Sequence, residues 1–122
     1  MVDRLTYTDE RTGRSAFEIR SENVLVQAGA LTASGLLENI AQTAAARIGY
    51  LCRAEDRPVP IGYLGAIQHL SIFELPKIND QISTEITIKN QIFNITVIEG
   101  IIHCHERTFA QCEMKIFISN TS

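Results

Sequence analysis

Tryptophan is absent from these 122 residues, proline occurs three times, and the three cysteines include no CxxC pair. Cys52, Cys104 and Cys112 are odd in number and widely spaced, which argues against a disulfide framework and against a zinc site. Free thiols of this kind usually pack as small hydrophobes in a reducing compartment. No block of lysine or arginine occurs, and the net charge is -3. Nucleic acid is therefore not expected as a partner, because phosphate contacts need a concentrated basic surface. No apolar run approaches the roughly 20 residues of a membrane span. The opening MVDRLTYTDERTGRS is polar where a secretory leader would be apolar. A cytoplasmic protein is expected. Also missing are a nucleotide-binding glycine loop, a metal constellation and a nucleophile elbow.

What is present reads as globular. Apolar residues make up 45% of the chain and charged residues 20%, and the length suits one domain with a core that needs no staples. We expect a single domain over 1–122, with 1–14 a less ordered or peripheral segment. SAFEIRS, Ser15 to Ser21, reads as a first strand. A loop from Glu22 to Ala33 follows, with Gly29 as its turn point. Thr32 or Ser34 can then cap a helix that runs to about Cys52. RAEDRPVP is a charged loop closed by prolines, and from Ile61 onward everything reads as strand. QISTEITIKN alternates, with Ile82, Thr84, Ile86 and Ile88 on one face. QIFNITVIEGIIHCH and RTFAQCEMKIFIS continue as two long strands joined by a hairpin around Glu106 and Arg107. Gly100 interrupts the first of them, where a bulge or bend would suit.

The helix GLLENIAQTAAARIGY holds the most information. At about 100° per residue, Leu37, Ile40, Ala41, Ala44, Ile48 and Leu51 share one broad face, with Asn39, Thr43, Ala46, Arg47 and Tyr50 opposite. Glu38 and Gln42 sit together on the border, four residues apart. Alanine and glycine are frequent enough to allow close approach to a sheet. One strand, one long helix and then a run of antiparallel strands imply an α+β architecture, the sheet curving around the helix.

That order, with ENIAQTAAA on the helix, resembles the hotdog fold, and within it the 3-hydroxyacyl-acyl-carrier-protein dehydratases. Those enzymes carry Glu-x-x-Ala-Gln on the helix, and here Glu38, Ala41 and Gln42 stand in those places. Their Gly-Asp-x-Leu passage is matched loosely by Asn79, Asp80, Gln81 and Ile82. The resemblance implies an acyl-thioester substrate carried on acyl carrier protein or coenzyme A, no cofactor and no metal, and a homodimer or higher homo-oligomer. It implies Glu38 as the catalytic carboxyl group. Ser34, Gly35 and Leu36 would offer backbone amides to the thioester carbonyl, Gly35 sparing the ligand a Cβ. Gln42, Gly62, Tyr63 and Gly65 would contact substrate. The strand from Gly62 to Ile67 would pair with a dimer mate.

The chain departs from that family at one point. The dehydratases keep their base histidine in a His-Phe-Pro-Gly stretch before the helix. Here NVLVQAGALTASGLLE, residues 23 to 38, has neither histidine nor proline, and Thr32 and Ala33 fill the Pro-Gly places. Elimination moves two protons and needs two groups. Three readings stay open: a dehydratase-like lyase with altered activity, a thioesterase using Glu38, and a non-catalytic acyl-binding or partner subunit. A helix N-terminus favours the ionised carboxylate that hydrolysis needs, while an apolar tunnel opposes it. His69 is read as a strand-surface residue, and His103 and His105 as surface groups on one strand face. Cys104 is placed on the other face, as packing, like Cys112.

Overall fold

Thr32 starts the helix. Its backbone is extended (φ -75°, ψ 167°), and its hydroxyl accepts the Gly35 amide at 3.2 Å, satisfying one of the donors a helix leaves unpaired. The computed structural model describes residues 1–119. In it β1 (Arg4–Thr8) and β2 (Thr12–Glu18) form a hairpin, and β3 (Val26–Gln27) and β4 (Ala30–Leu31) a short ribbon. The helix α1 (Ala33–Ala54) follows, then β5 (Ile61–Ile72), β6 (Gln81–Ile92), β7 (Ile95–Cys104) and β8 (Arg107–Ser119). Ala28 and Gly29 turn the ribbon, both at positive φ (53° and 79°), as a tight two-residue turn requires. Six strands make one antiparallel sheet in the order β1-β2-β6-β7-β8-β5. This is the anticipated α+β hotdog arrangement, a curved antiparallel sheet packed against one helix.

Two strand boundaries differ from the sequence reading. The first core strand begins at Thr12 rather than Ser15, and β1 lies outside it at the sheet edge. The stretch QIFNITVIEG is not one strand either. Gln91 and Ile92 end β6, the chain turns at Phe93 and Asn94, and β7 starts at Ile95. Phe93 takes φ 55° and is fully exposed. An aromatic side chain hid a turn whose conformation favours glycine or asparagine.

The core lies between α1 and the inner sheet face, where Ile82, Thr84, Ile86 and Ile88 are buried as their alternation required. Leu36, Ile40 and Ala44 from the helix meet Phe17, Ile98, Ile102, Phe109 and Met114. Gly100 belongs to this contact and forms no bulge: it pairs in register with Ile86 on one side and Cys112 on the other. A Cβ there would lie 2.4 Å from Ile40 Cγ2. The glycine lets the helix approach the sheet; it does not bend the strand.

The helix is also turned about its axis relative to the predicted face. Asn39, Thr43 and Arg47, assigned to the outer side, are buried, whereas Leu37, Ala41, Ile48 and Leu51 are only half-buried. The sheet supplies what the polar groups need. Asn39 Nδ2 donates to the Met1 carbonyl at 2.7 Å, and its Oδ1 accepts the Thr84 hydroxyl. The Thr43 hydroxyl lies 2.7 Å from that of Ser15 and donates to the Asn39 carbonyl. Arg47 donates to the carbonyls of Asp9 and Glu10, holding the β1–β2 turn against the helix. Buried polar groups persist when so paired. Asn39→Ala strands the Thr84 hydroxyl and the Met1 carbonyl. A loss of about 1–3 kcal/mol is expected in urea unfolding, and an unchanged midpoint would mean both groups find other partners.

Candidate functional site

Along the half-buried flank of α1 the small side chains leave room. Ala41, Ala44, Ala45 and Ile48 face Gly62 and Leu64 of β5, Val59 and Pro60 of the preceding loop, and Ile116 and Ile118 of β8. Together they enclose an apolar slot of about 150 Å³. Glu38 precedes Ala41 by three residues and Ala45 by seven, so it shares their stripe of the helix at the slot's N-terminal end. Its carboxylate is exposed and is not part of the slot wall. Oε1 accepts the Gln42 amide at 2.8 Å, a pairing their four-residue spacing allows, and both side chains reach solvent.

The strand beside the slot has no neighbour on its outer side among the described residues. β5 ends the sheet, and Ile61, Tyr63, Leu64, Ile67, Leu70, Ile72 and Phe73 are each 36% to 64% exposed. Twelve residues of unpaired edge with this much apolar surface favour association.

The other predicted contacts divide. Gly62 lines the slot, Tyr63 is exposed on the same strand, and Ser34 is exposed at the helix start. Gly35 does not open a path for a ligand: a Cβ there would lie 2.5 Å from Leu31 Cδ1, so the missing atom serves packing. Its amide is spent on the Thr32 hydroxyl, and the Leu36 amide on the Thr32 carbonyl at 3.0 Å. Neither is left to face a thioester. Ala33 and Ser34, at the first two helical positions, are the donors outside this cap. Gly65 is likewise filled from within. It falls at an irregularity of β5, and a Cβ would lie 2.0 Å from the Phe117 ring.

His69 lies on exposed β5 at φ 54°, with Nε2 4.0 Å from a Glu113 carboxylate oxygen. Lys89 Nζ, 2.8 Å away, holds the pKa of Glu113 below its usual value. His105 departs from its predicted strand face because the strand ends at Cys104. It turns with Glu106, at φ 51° and 62°, and its Nε2 lies 2.9 Å from Asp80 Oδ1. The Lys77 amide and then His105 lower the pKa of Asp80. Cys104 is buried, and its sulfur lies within 4.8 Å of the Asp80 and His105 ligand atoms. Asp80 reaches His105 from 25 residues away in the chain, a neighbour that strand spacing alone does not place there. Burial raises the pKa of Cys104, and that of Cys112 to about 11, so both behave as packing residues.

The slot walls escaped the sequence reading, apart from Gly62. The one available signal was the alanine series at 41, 44 and 45, small side chains at helical spacing. Pro60 and the isoleucines of β8 carried none.

Residues 1–122 match the model of a family described as ApeP dehydratase. The dehydratase heterocomplex ApeI:P from Xenorhabdus doucetiae is structurally similar, with TM-score 0.87 and 13% identity over 98% of this chain and 83% of that chain. A hypothetical thioesterase from Streptococcus pneumoniae TIGR4, solved with coenzyme A, gives 0.77 and 12% over 95% and 87%. The Escherichia coli PaaI protein of the phenylacetic acid degradation operon gives 0.70 and 12% over 93% and 80%. At such identities these likenesses establish the fold. No curated protein matches the sequence.

Proposed function

From the premise that this chain belongs to the ApeP dehydratase family, we propose that it supplies the acid half of a shared active site. That site would dehydrate 3-hydroxyacyl thioesters held on acyl carrier protein or coenzyme A. The observation that carries this reading is that Glu38 is exposed on the helical stripe whose next turns, Ala41 and Ala45, line an apolar slot walled on its other side by the edge strand β5. A second hotdog subunit laid along β5 would roof the slot, desolvate Glu38 and bring the base that residues 23 to 38 lack. A homodimer would cover the same edge but brings no histidine in the region where the dehydratases keep theirs. The heterocomplex of the similar ApeI:P structure supports an unlike partner. No helix among the described residues is long and apolar enough to cross a membrane. The three cysteines are free and buried, which fits action in the cytoplasm.

The residues then take these roles. The acyl chain lies in the slot against Ala41, Ala45 and Ile48. The thioester oxygen meets the Ala33 and Ser34 amides, where the helix dipole favours the charge that develops as the partner's histidine removes the α-proton. Glu38, in its protonated form, gives its proton to the β-hydroxyl, which leaves as water. The product is the 2-enoyl thioester, and the proton on histidine returns to Glu38 through solvent. Gln42 orients the carboxyl group by its hydrogen bond.

The test is an assay of 3-hydroxyacyl-coenzyme A with the purified chain, alone and mixed with a histidine-bearing hotdog dehydratase subunit. Enoyl absorbance is followed together with thiol release. Enoyl product from the mixture, far above either component alone, is the expected result. Thiol release by the chain alone, without enoyl product, would replace this reading with thioester hydrolysis. No gain on mixing would overturn the shared site.

A further inference from the structure

The slot is one of three adjoining spaces. On the far side of Ile48 lies a second chamber of about 250 Å³, walled by Glu10, Arg47, Leu51, Arg57, Gln91 and Thr96 among others. Beneath both runs a crevice of about 10 Å³ between the helix and Ile86, Ile88 and Ile98. Ile48 and Ile118 line all three spaces, and Pro60 lines the two large ones. Ile48 on the helix and Ile118 on β8 are therefore the two halves of a partition. Both spaces reach solvent; the chamber is walled partly by charged and polar side chains, whereas every side chain lining the slot is apolar.

Resting on the acyl-thioester reading, we propose that Ile48 is a specificity-determining residue: it closes the inner end of the slot and sets the longest acyl chain that gains by insertion. Each methylene buried in front of the partition improves binding by about fourfold. Carbons beyond it must displace Ile48 or stay in water and add nothing. Truncating Ile48 joins slot and chamber, so longer chains keep gaining. Enlarging it shortens the slot. Ile48 is half-buried and touches no hydrogen-bonded network described above, so the helix tolerates these changes.

Binding of straight-chain acyl-coenzyme A esters from four to sixteen carbons to wild type, Ile48→Ala and Ile48→Phe reads this directly by calorimetry. Wild-type affinity is expected to rise with length and then level off. Ile48→Ala should move the plateau outward by at least two carbons, tightening the longest esters by about fifteenfold. Ile48→Phe should move it inward. Ile118→Ala, on the opposite wall, should act like Ile48→Ala. Thermal unfolding of each variant identifies one that fails to fold. A plateau at the same length in wild type and both folded alanine variants overturns the partition alone. No binding of any ester by wild type, either alone or mixed with the histidine-bearing subunit, overturns the acyl-thioester reading and this inference with it. Affinity independent of chain length in wild type overturns the partition while leaving the thioester site standing.

Discussion

Glu38→Gln should reduce enoyl formation by the reconstituted enzyme about 10²–10⁴-fold, the usual contribution of one positioned acid, and leave the melting temperature where it was. The two halves of this expectation have separate causes. Glutamine keeps the size and the hydrogen-bonding capacity of the side chain, and Gln42 can donate to its amide oxygen as it does to Oε1 at 2.8 Å. What is lost is the proton that the leaving hydroxyl needs. Stability is untouched because the carboxylate is exposed and anchors no core contact. The pair of measurements therefore separates a chemical role from a structural one. Wild-type turnover in Glu38→Gln would remove the residue from the mechanism. Equal losses of turnover and of stability would reveal a structural carboxylate.

Gly100→Val should cost about 3 kcal/mol, the upper end of what overpacking usually costs. A Cβ at this position would sit 2.4 Å from Ile40 Cγ2, and Ile40 is completely buried. Ile40 cannot swing away, because Ile86, Ile98 and Ile102 belong to the same buried cluster. The helix must lift from the sheet instead. Lifting it would also stretch the Asn39 to Thr84 contact, so the loss spreads beyond one pair. Ile40→Ala alone should cost about 2–5 kcal/mol. The double variant should cost less than the two single losses added, since each change relieves the other's misfit. Strict additivity in urea titrations would show that glycine is needed at 100 for some other reason. Because Glu38 rides on the same helix, the folded fraction of Gly100→Val should also bind acyl esters less well.

Several features were legible because they depend on neighbours in the chain. The alternation of Ile82, Thr84, Ile86 and Ile88 fixed the inner face of β6, and each of the four is buried. Thr32, one of two candidate caps with Ser34, starts the helix through its hydroxyl, and Gly29 makes the ribbon turn through its freedom at positive φ. The Glu38–Gln42 pair followed from a spacing of four residues on a helix. Other features depend on partners far along the sequence. Asn39, Thr43 and Arg47 look like an outward polar stripe until Thr84, Ser15 and the Asp9 and Glu10 carbonyls close over them. Gly35 and Gly65 look open to a ligand until Leu31 and Phe117 fill the space. Cys104 and His105 look separated until the strand ends between them and Asp80 arrives from another turn.

The sequence by itself determined one long helix followed by antiparallel strands, the inner face of β6 and the stripe of α1 that carries the acid group, because periodicity is a property of the local chain. Which side of α1 meets the sheet and where the slot stops were decided only by the tertiary structure. These are set by pairs of residues tens of positions apart, and no local pattern encodes the distance between them. A polar side chain becomes core, or a glycine becomes a contact, only when a strand from elsewhere supplies the other half.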